Sequence, residues 1–431
     1  MRVFGIILIL LISFSCDTEN SFPVPEENYF VKFYGEEGDQ EGVDFIVNTD
    51  GSIVMIGNTE RTGVKKQIYV VKVDSKGQVL WQRRMGLPDK DDFAKDVELH
   101  PDGRIVITGE TEMAVGDKDV FIKTISQSGD PLDSARYGLP NGTNEEVNSV
   151  TIINGGGAFP PGFIVSGSTT ISNSSTIRDA MALRFNNSLQ RILESGPDPI
   201  WTASRYGYSS DDIAFKVVEV DPSTYYVFGY SNRIIQNYNG DYNFWYYALN
   251  GDGTTKIGEN YCGKTSENEK MTAVEVTFNQ AGVRYILSGT ATTITSNSAQ
   301  SYSAALSPIL SFSSSDILRE KNPTNLGLNT NDLLRVKVKG SFDDSFILIS
   351  SDTRLPNQGF NIAFVRLKSD LLMASEPFIF GGEGDDFSGS LAELPDGGIL
   401  ISGTMIVGGG NDKGQRKMVL IKLNPEGKLT E

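Results

Sequence analysis

The chain has few of the residues that metal and imidazole chemistry require. Its 431 residues include one histidine and two cysteines, and its 38 lysines and arginines are outnumbered by 55 aspartates and glutamates. A single imidazole argues against a catalytic mechanism built on histidine. The formal net charge of −17 opposes attraction to phosphate backbones. Nucleic acid is therefore excluded as the main partner.

Long apolar runs are missing too, except at the N-terminus. Residues 3–12 are apolar but too few to cross a bilayer, and a short SFS stretch leads from them to Cys16. This segment resembles the looser lipoprotein signals of Bacteroidota-type bacteria, and an ordinary secretory signal is the alternative. The resemblance implies a signal peptide at residues 1–15 and a tether at 16–27 that starts from acyl chains, such as palmitate, on Cys16. The acidic residues of the tether look like the export signal that sends such lipoproteins to the outer face of the outer membrane.

Internal repetition determines the predicted fold. Seven runs share an apolar stretch, a small residue and a Thr or Ser close behind it: IVMIGNT, IVITGET, FIVSGST, YVFGYS, YILSGTA, ILISSDT and ILISGTM. A small residue of each run stands at position 57, 109, 167, 229, 289, 351 or 403, and neighbouring positions are 52 to 62 residues apart. Chance does not produce this spacing, so each run marks one copy of a structural unit.

Each unit contains short strand-like runs separated by Gly- or Asn-containing turns. The sequence shows neither helical periodicity nor an alternation of strands with helices. Four antiparallel strands per unit predict an all-β, seven-bladed β-propeller that forms one domain at residues 28–431. We expect its blades at residues 36–85, 86–137, 138–206, 207–262, 263–322, 323–380 and 381–431.

The last unit lacks a fourth strand, and the N-terminus supplies a run of the right kind. The run NYFVKFYG at residues 28–35 resembles the fourth strands of other units, most of which end in an aromatic residue or Met before Gly. We expect it to pair with residues 417–423 and close the ring, which would remove two open sheet edges. Its large apolar side chains are expected to be buried: Phe30, Val31, Phe33 and Tyr34.

The repeat as a whole resembles that of tandem-repeat β-propeller lipoproteins of Bacteroidota. Their unit runs approximately GDDxAxxVxxxxDGGxxVxGxT, then DxxLIKLDxxGxxxW, then YGG, and this chain follows the pattern over nearly all residues after the signal. The resemblance implies the fold and a lipid-anchored, surface-exposed location. It implies no single activity, because propellers support many functions.

Four features that elsewhere mark chemistry occupy repeat positions in this chain. Cys262 replaces an aromatic residue at the end of a fourth strand, so packing is favoured over a reactive thiol. His100 precedes a turn, which favours a structural residue over a metal ligand. The aromatic run at residues 242–247 lies on a third strand, where core packing is favoured over sugar stacking. Trp81 resembles part of the repeat of quinone-dependent dehydrogenases. Those enzymes repeat the tryptophan in blade after blade and this chain does not, so a dehydrogenase is disfavoured.

The links between second and third strands are longer and more varied than the other turns. We expect them at residues 60–66, 112–118, 170–178, 232–241, 292–301, 354–359 and 406–415. In a propeller these links emerge on one face together with the links between blades, and the short turns emerge on the other. Long, varied loops on a rigid scaffold are the usual place for binding. The long-loop face is therefore the predicted binding face.

Acidic residues recur on that face, at the start of each first strand. The series comprises Asp39, Asp91, Asp92, Glu145, Glu146, Asp211, Asp212, Glu269, Asp332, Asp385 and Asp386, and Tyr238 lies in a nearby loop. One interpretation is structural, because a carboxylate at such a bend accepts hydrogen bonds from backbone N–H groups. The alternative is a ring of carboxylates that binds a cationic partner or Ca²⁺, which prefers oxygen ligands.

Two classes of function remain open. The sequence favours a monomeric, non-catalytic binding or scaffold lipoprotein without a cofactor, which holds a protein partner in the outer membrane through the long-loop face. The alternative is a glycan-binding or glycan-degrading propeller, either a lyase or a hydrolase, motivated by the acidic series and by the Tyr and Asn residues at 235–241. An enzyme would break the repeat with a His, Tyr or Arg grouped beside the acids, and the sequence shows no such departure.

Overall fold

A computed structural model describes most of the chain from residue 28 onward. The described residues are 28–138, 143–156, 159–170, 172, 175–193, 201–202, 204–207, 209–235, 238–263, 267–279, 282–293, 305–306, 309–313, 319–320, 333–341, 346–354, 359–368, 373–382, 384–408 and 414–430. The predicted signal peptide and tether, including Cys16, lie outside them. Among the described residues, no helix is long and apolar enough to cross a membrane.

The described residues form seven antiparallel sheets of four or five strands and one small hairpin. Sheet 1 contains β2 (Asp39–Val47), β3 (Ile53–Arg61), β4 (Val64–Val73) and β5 (Val79–Met85). Sheet 2 contains β6 (Asp91–Leu99), β7 (Ile105–Ala114), β8 (Asp117–Ile125) and β9 (Pro131–Tyr137). Sheet 3 contains β10 (Glu145–Ile153), β11 (Gly162–Thr170), β12 (Arg178–Asn186) and β13 (Arg205–Tyr206). Sheet 4 contains β14 (Asp212–Asp221), β15 (Thr224–Ser231), β18 (Asn243–Asn250) and β19 (Thr255–Cys262).

The remaining strands complete the set. Sheet 5 contains β20 (Glu267–Asn279), β21 (Gly282–Thr293), β22 (Ala305–Leu306), β23 (Ile309–Ser313) and β24 (Arg319–Glu320). Sheet 6 contains β25 (Leu333–Gly340), β26 (Phe346–Arg354), β27 (Phe360–Lys368) and β28 (Phe378–Phe380). Sheet 7 contains β29 (Phe387–Glu393), β30 (Ile399–Val407), β31 (Gln415–Leu423) and the N-terminal β1 (Phe30–Tyr34). The hairpin consists of β16 (Ile234–Ile235) and β17 (Tyr238–Asn239).

Position within a sheet explains the sequence pattern of each strand. The second and third strands lie in the middle of a sheet, and both of their faces are covered by neighbouring sheets. Strand β11 is consequently buried along its whole length, and β3 is buried over its first seven residues. The fourth strand forms the outer edge, where β5 is mostly exposed. The seven apolar runs that mark the repeat are therefore the interior strands of the seven sheets.

The first strands surround a central cavity of about 410 Å³, to whose lining all seven contribute. Each first strand lies beside the first strand of the next sheet, and β29 of sheet 7 lies beside β2 of sheet 1. The pairing of each first strand with its second strand is also irregular at a corresponding place, for example between Ala94 and Asp96 in β6. Bulges of this kind bend a strand and redirect its side chains. The sheets thus follow the arrangement of propeller blades.

The N-terminal strand occupies the fourth place of sheet 7. Strand β1 pairs antiparallel with β31, with Phe30 opposite Lys422 and Tyr34 opposite Met418, so the predicted pairing is present. Phe30 and Tyr34 are buried, and the Tyr34 hydroxyl donates to the Gly77 carbonyl of sheet 1 at 2.9 Å. The prediction for Phe33 was wrong, because this side chain is 46% exposed on the outer edge.

Burial in β1 is therefore smaller than the sequence pattern indicates. Two fully buried aromatic side chains contribute about 3 to 6 kcal/mol to the stability of this pairing.

Two predicted loops also differ from expectation. Strands β3 and β4 pair as far as Arg61 and Val64, and β7 and β8 as far as Ala114 and Asp117, so residues 60–66 and 112–118 are tight hairpins instead of open loops.

Candidate functional site

The acidic residues at the starts of the first strands fall into two groups. The members of the inner group are at most 4% exposed: Asp92, Glu145, Asp212, Glu269 and Asp386. Asp92 accepts hydrogen bonds from the Thr111 hydroxyl and from the Leu87 backbone N–H, the latter at 2.6 Å. Asp386 accepts the backbone N–H of Gly382, in the corresponding link, at 2.8 Å and that of Ile406, on β30, at 2.9 Å. These carboxylates tie the link between two sheets to the second strand of the following sheet.

The outer group fastens neighbouring sheets to each other. Asp91 Oδ1 accepts the backbone N–H of Lys66 at 2.7 Å, near the start of β4 in the preceding sheet. The same bond recurs between other sheets: Arg416 to Asp39 (3.0 Å), Arg178 to Asp211 (3.0 Å) and Phe360 to Asp385 (2.9 Å). Asn144 and Asn268 accept the equivalent N–H groups for sheets 3 and 5. These bonds support the structural interpretation of the acidic series.

The glycine that follows the fourth strand makes room for the inner group. Gly86 has a φ of +147°, and a Cβ placed there would lie 2.5 Å from Asp92 Oδ2. Gly381 has a φ of +158°, and its Cβ would lie 2.6 Å from Asp386 Oδ2. A side chain at either position would displace the carboxylate. A glycine at the end of the fourth strand and an acid five or six residues later therefore form one structural motif.

The other predicted site residues do not join these groups. Asp332 and Cys16 lie outside the described residues, and of Tyr238 only the backbone, on β17, is described. Glu146 forms an ion pair with Arg178 at 3.0 Å and does not fasten two sheets through a backbone N–H. Over the part of the chain that the structure describes, no three His, Cys, Asp or Glu side chains lie close enough to hold a metal ion. The described acids are distributed among the sheets.

A cleft of about 700 Å³ opens on the long-loop face between sheets 3 and 4. We call it the loop-face cleft, and its lining includes Thr176, Ser209, Asp211, Asn232, Arg233 and Ile234. Its walls come from the second-to-third-strand links of both sheets and from the link that joins the sheets. The volume lies within the range of roughly 300 to 1,000 Å³ that is usual for ligand pockets. Hydroxyl, amide and charged groups in one concave surface can exchange hydrogen bonds with a polar ligand.

Backbone hydrogen bonds hold the walls of the loop-face cleft together. The Asp211 N–H donates to Asn232 Oδ1 at 2.8 Å, and the Asn232 N–H donates to the Asp211 carbonyl at 3.1 Å. Arg233 forms an ion pair with Glu259 on β19. These contacts fix the link between the sheets against the loop of sheet 4. The cleft is therefore preformed, which reduces the entropy lost when a ligand binds.

Charges of both signs lie beside the cleft. Asp211 Oδ2 accepts the Tyr242 hydroxyl at 2.6 Å and lies 3.3 Å from Arg178, which also contacts Glu146. Burial, reinforced by Asp211, raises the pKa of Tyr242 above its ordinary value. Lys270 lies over the Tyr242 ring at 4.7 Å, and burial together with Arg178 lowers the pKa of its amine. This balance of charge favours a polar ligand of low net charge.

The central cavity is crossed by ion pairs between different sheets. Lys216 Nζ on β14 lies 3.8 Å from Glu98 Oε1 on β6. Lys339 Nζ on β25 lies 3.1 Å from Glu275 Oε1 on β20. Because these pairs link first strands that are distant in sequence, they brace the interior of the fold.

The individual residues singled out in the sequence have structural roles. Cys262 is buried in the core of sheets 4 and 5, as predicted. His100 lies in its turn 2.7 Å from Asp102, as predicted. In the aromatic run at residues 242–247, Phe244, Trp245 and Tyr247 are buried on β18 as predicted, whereas Tyr242 precedes that strand and is only partly buried. The Trp81 indole N–H donates to a backbone carbonyl of sheet 2 at 3.0 Å, so this side chain joins two sheets.

The sequence does not predict the cations beside the loop-face cleft. Arg178, Arg233 and Lys270 come from three different segments, and only the fold brings them close to Asp211 and Tyr242. The one available signal is the length of the link at residues 232–241, which contains the extra hairpin. Because this link differs from one unit to the next, the repeat pattern predicts no function for its residues.

No protein-family model matches the chain, and no curated protein matches it. Among solved structures, the chain is similar to the full extracellular region of plexin A4, with 10% sequence identity, a TM-score of 0.54, and coverage of 92% of this chain and 47% of that one. The chain thus spans less than half the length of this relative.

Two further solved structures align over nearly their whole length. One is a protein of unknown function from Dyadobacter fermentans, with 10% identity, a TM-score of 0.48, and coverage of 91% of this chain and 97% of that one. The other is the β-propeller domain of the Trilobed protease from Pyrococcus furiosus, with 11% identity, a TM-score of 0.45, and coverage of 91% and 98%. Identities this low concern the fold alone. Four-stranded sheets arranged around a central cavity give this chain the β-propeller fold.

Proposed function

We propose that the chain is a lipid-anchored, non-catalytic binding module built as a closed ring of seven blades. Two contacts that join consecutive sheets recur between sheet 7 and sheet 1. The Arg416 N–H donates to Asp39 as Lys66 donates to Asp91. Lys422 Nζ donates to a turn carbonyl of sheet 1 at 3.1 Å, as Lys72 does to a turn carbonyl of sheet 2 at 3.3 Å. Equivalent contacts at all these junctions support a ring without an open end.

The proposed anchor at Cys16 fixes the orientation of this ring. Phe30 pairs with Lys422 next to the turn at residues 424–427, and Lys32 donates to the Lys76 carbonyl in another short turn. Phe30 therefore lies at the short-turn face of the domain. A tether of about a dozen residues from the membrane would hold that face toward the lipid, so the long-loop face points away from the outer membrane and toward partners outside the cell.

The observation that carries the binding role is the loop-face cleft. It is concave, its walls are held by hydrogen bonds, and it lies on the face that the proposed tether turns outward. A preformed polar cleft on a rigid scaffold is the usual architecture of a recognition site. The ligand we propose is an extracellular segment of another outer-membrane protein.

A glycan is the second candidate ligand. The hydroxyls of Thr176 and Ser209, the Asn232 amide and the Arg233 guanidinium lie in one cleft. Alternating donors and acceptors of this kind match the hydroxyl groups of a sugar. The same cleft would then serve a surface glycan-binding protein.

The test compares two exposed apolar residues on the long-loop face. Ile234 is 78% exposed in the loop-face cleft, and Val115 is fully exposed at the distant β7–β8 turn. The full-length lipidated protein and its Ile234→Asp and Val115→Asp variants are used in pull-downs from solubilised envelopes and on a glycan array. We expect Ile234→Asp to lose the bound partner or glycan at least about tenfold and Val115→Asp to retain it.

Separate outcomes address the separate parts of the proposal. A stoichiometric outer-membrane partner supports the first ligand class, and array binding without such a partner supports the second. Equal retention by the two variants would remove the loop-face cleft from the proposal. Membrane retention of a Cys16→Ser variant equal to that of the unchanged protein would contradict the lipid anchor, whatever the binding result.

A further inference from the structure

Lys123 breaks the repeat at a core position. It lies on β8 opposite Ile107, which is two residues before Gly109, the small residue that marks the repeat in sheet 2. The residues at the same register in the other sheets are all apolar or aromatic: Val71, Leu183, Tyr247, Leu310, Val365 and Ile421. A lysine at a position that otherwise fills the space between sheets requires an explanation other than packing.

The Lys123 side chain lines a cavity of about 160 Å³ between sheets 1 and 2. Gly86 and Leu87 of the link between the sheets form one side of the cavity, and Ser134 and Arg136 of β9 form the other. Lys123 stands directly opposite Ser134 in the strand pairing. We call this space the intersheet pocket. Its volume equals that of about five water molecules.

Hydrogen bonds in the intersheet pocket leave the Lys123 amine without an acceptor. Asp92 is engaged by Thr111 and Leu87, and lies 3.6 Å from Arg136 Nη2. The Arg136 Nε–H donates to the Thr111 hydroxyl at 2.9 Å. Lys123 Nζ makes no hydrogen bond to any of the residues that the structure describes. The pocket therefore contains two cationic groups, one carboxylate and one unused set of amine donors.

Burial of this amine has an energetic consequence. Removal from water lowers the pKa of Lys123, and Arg136 adds to this effect while Asp92 opposes it. A bound anion would supply the missing acceptor and balance the excess positive charge. The corresponding third-strand residue of sheet 1, Val71, is buried among apolar side chains and creates no such requirement.

We propose that the intersheet pocket binds a small monovalent carboxylate, held by Lys123 with Arg136 and Ser134 as further donors. The pocket volume is sufficient for a carboxylate with one or two carbon atoms. The inference is independent of the loop-face cleft and of the lipid anchor. The pocket is lined in part by β9, the outer strand of sheet 2, so a ligand enters along this strand, from the rim of the propeller.

The test follows thermal unfolding of the full chain in increasing sodium acetate, with ionic strength held constant by sodium chloride. A ligand that binds only the folded state raises the melting temperature by mass action. We expect acetate and formate to raise it. Lys123→Leu restores the apolar residue of the repeat, so this variant should fold and should bind acetate at least about tenfold more weakly.

Two further variants keep the test decisive. Lys123→Met removes the amine with an unbranched side chain, in case the branched side chain of leucine does not fit. Lys428→Leu is the matched control, because it removes one exposed positive charge from a distant turn. We expect Lys428→Leu to keep the acetate response. Equal melting of the unchanged protein in acetate and chloride would overturn the proposal. An acetate response preserved in both Lys123 variants would also overturn it.

Discussion

Arg416 donates its backbone N–H to Asp39 Oδ1 at 3.0 Å across 377 positions of sequence. Lys66 and Asp91 make the equivalent bond at 2.7 Å across 25 positions. One bond joins the last sheet to the first, and the other joins the first sheet to the second. The chain thus uses the same local solution at the junction of its two ends as it uses between consecutive sheets.

Asp39→Ala and Asp91→Ala should destabilise the protein by similar amounts. Each substitution leaves one backbone N–H without its carboxylate acceptor, a loss of about 1 to 3 kcal/mol in the free energy of unfolding. Denaturant unfolding monitored by tryptophan fluorescence measures both values. Asp89→Ala is the control, because Asp89 is exposed in the link between sheets 1 and 2 and makes no hydrogen bond to another described residue, and we expect it to remain near the unchanged protein. If Asp39→Ala behaved like this control, the junction between sheets 7 and 1 would not be a bonded interface.

Gly86→Ala should be among the costly glycine substitutions. Its Cβ would meet the buried Asp92 carboxylate at 2.5 Å and the backbone has a positive φ, so we expect a loss of about 2 to 4 kcal/mol. Gly258→Ala on β19 meets no atom within 4 Å and serves as the matched control. Thermal unfolding of both variants provides the comparison. Similar melting temperatures would show that the carboxylate does not depend on the glycine.

The interior strands were predictable from the sequence, because a strand covered on both faces must be apolar throughout. The apolar runs that begin at Ile53 and Ile399 start at the first residues of β3 and β30. The fourth place of sheet 7 was predictable for a related reason. The last unit shows three strands, and β1 resembles the fourth strands of other units and pairs along the open side of β31.

The partners of polar residues were not predictable, because they depend on which elements meet in space. The sequence shows that acids recur beside Asp91 but not that Asp91 accepts the Lys66 N–H of another sheet. The exposure of Phe33 has a similar cause, since alternation identifies two faces of a strand but not how far a neighbour covers each. The pocket beside Lys123 was not predictable either, because the link at Gly86, β8 and β9 meet there only in the fold.

The contribution of Asp96 and Glu98 to stability should fall as pH rises through the mildly acidic range. Burial, followed by the nearby Asp44, raises the pKa of Asp96 well above 3.8, and burial also raises the pKa of Glu98. A raised pKa means that the folded state holds the proton more tightly than the unfolded state. The resulting stabilisation is full below the unfolded pKa and is lost as pH rises through the folded pKa. Lys216 opposes the effect by favouring the ionised carboxylates.

The check is the slope of unfolding free energy against pH for the unchanged protein and Asp96→Asn. We expect the variant to show a shallower decline, because it no longer releases a proton from this position. Asp133→Asn on the exposed edge is the control and should keep the original slope. Identical slopes for the unchanged protein and Asp96→Asn would contradict the assignment of the pH dependence to the central cavity.

The closure of the ring by its N-terminal strand is the central claim, and moving that strand tests it most directly. One variant lacks residues 28–35. In a second variant, residues 29–35 are moved from the N-terminus to the position immediately after Lys428, where a continuous unit would have its fourth strand. We expect the deletion to lose about 3 to 6 kcal/mol of stability or to associate through the exposed β31 edge, and the transfer to restore a monomer with near-original melting. A deletion variant that remains monomeric with an unchanged melting temperature would contradict the claim.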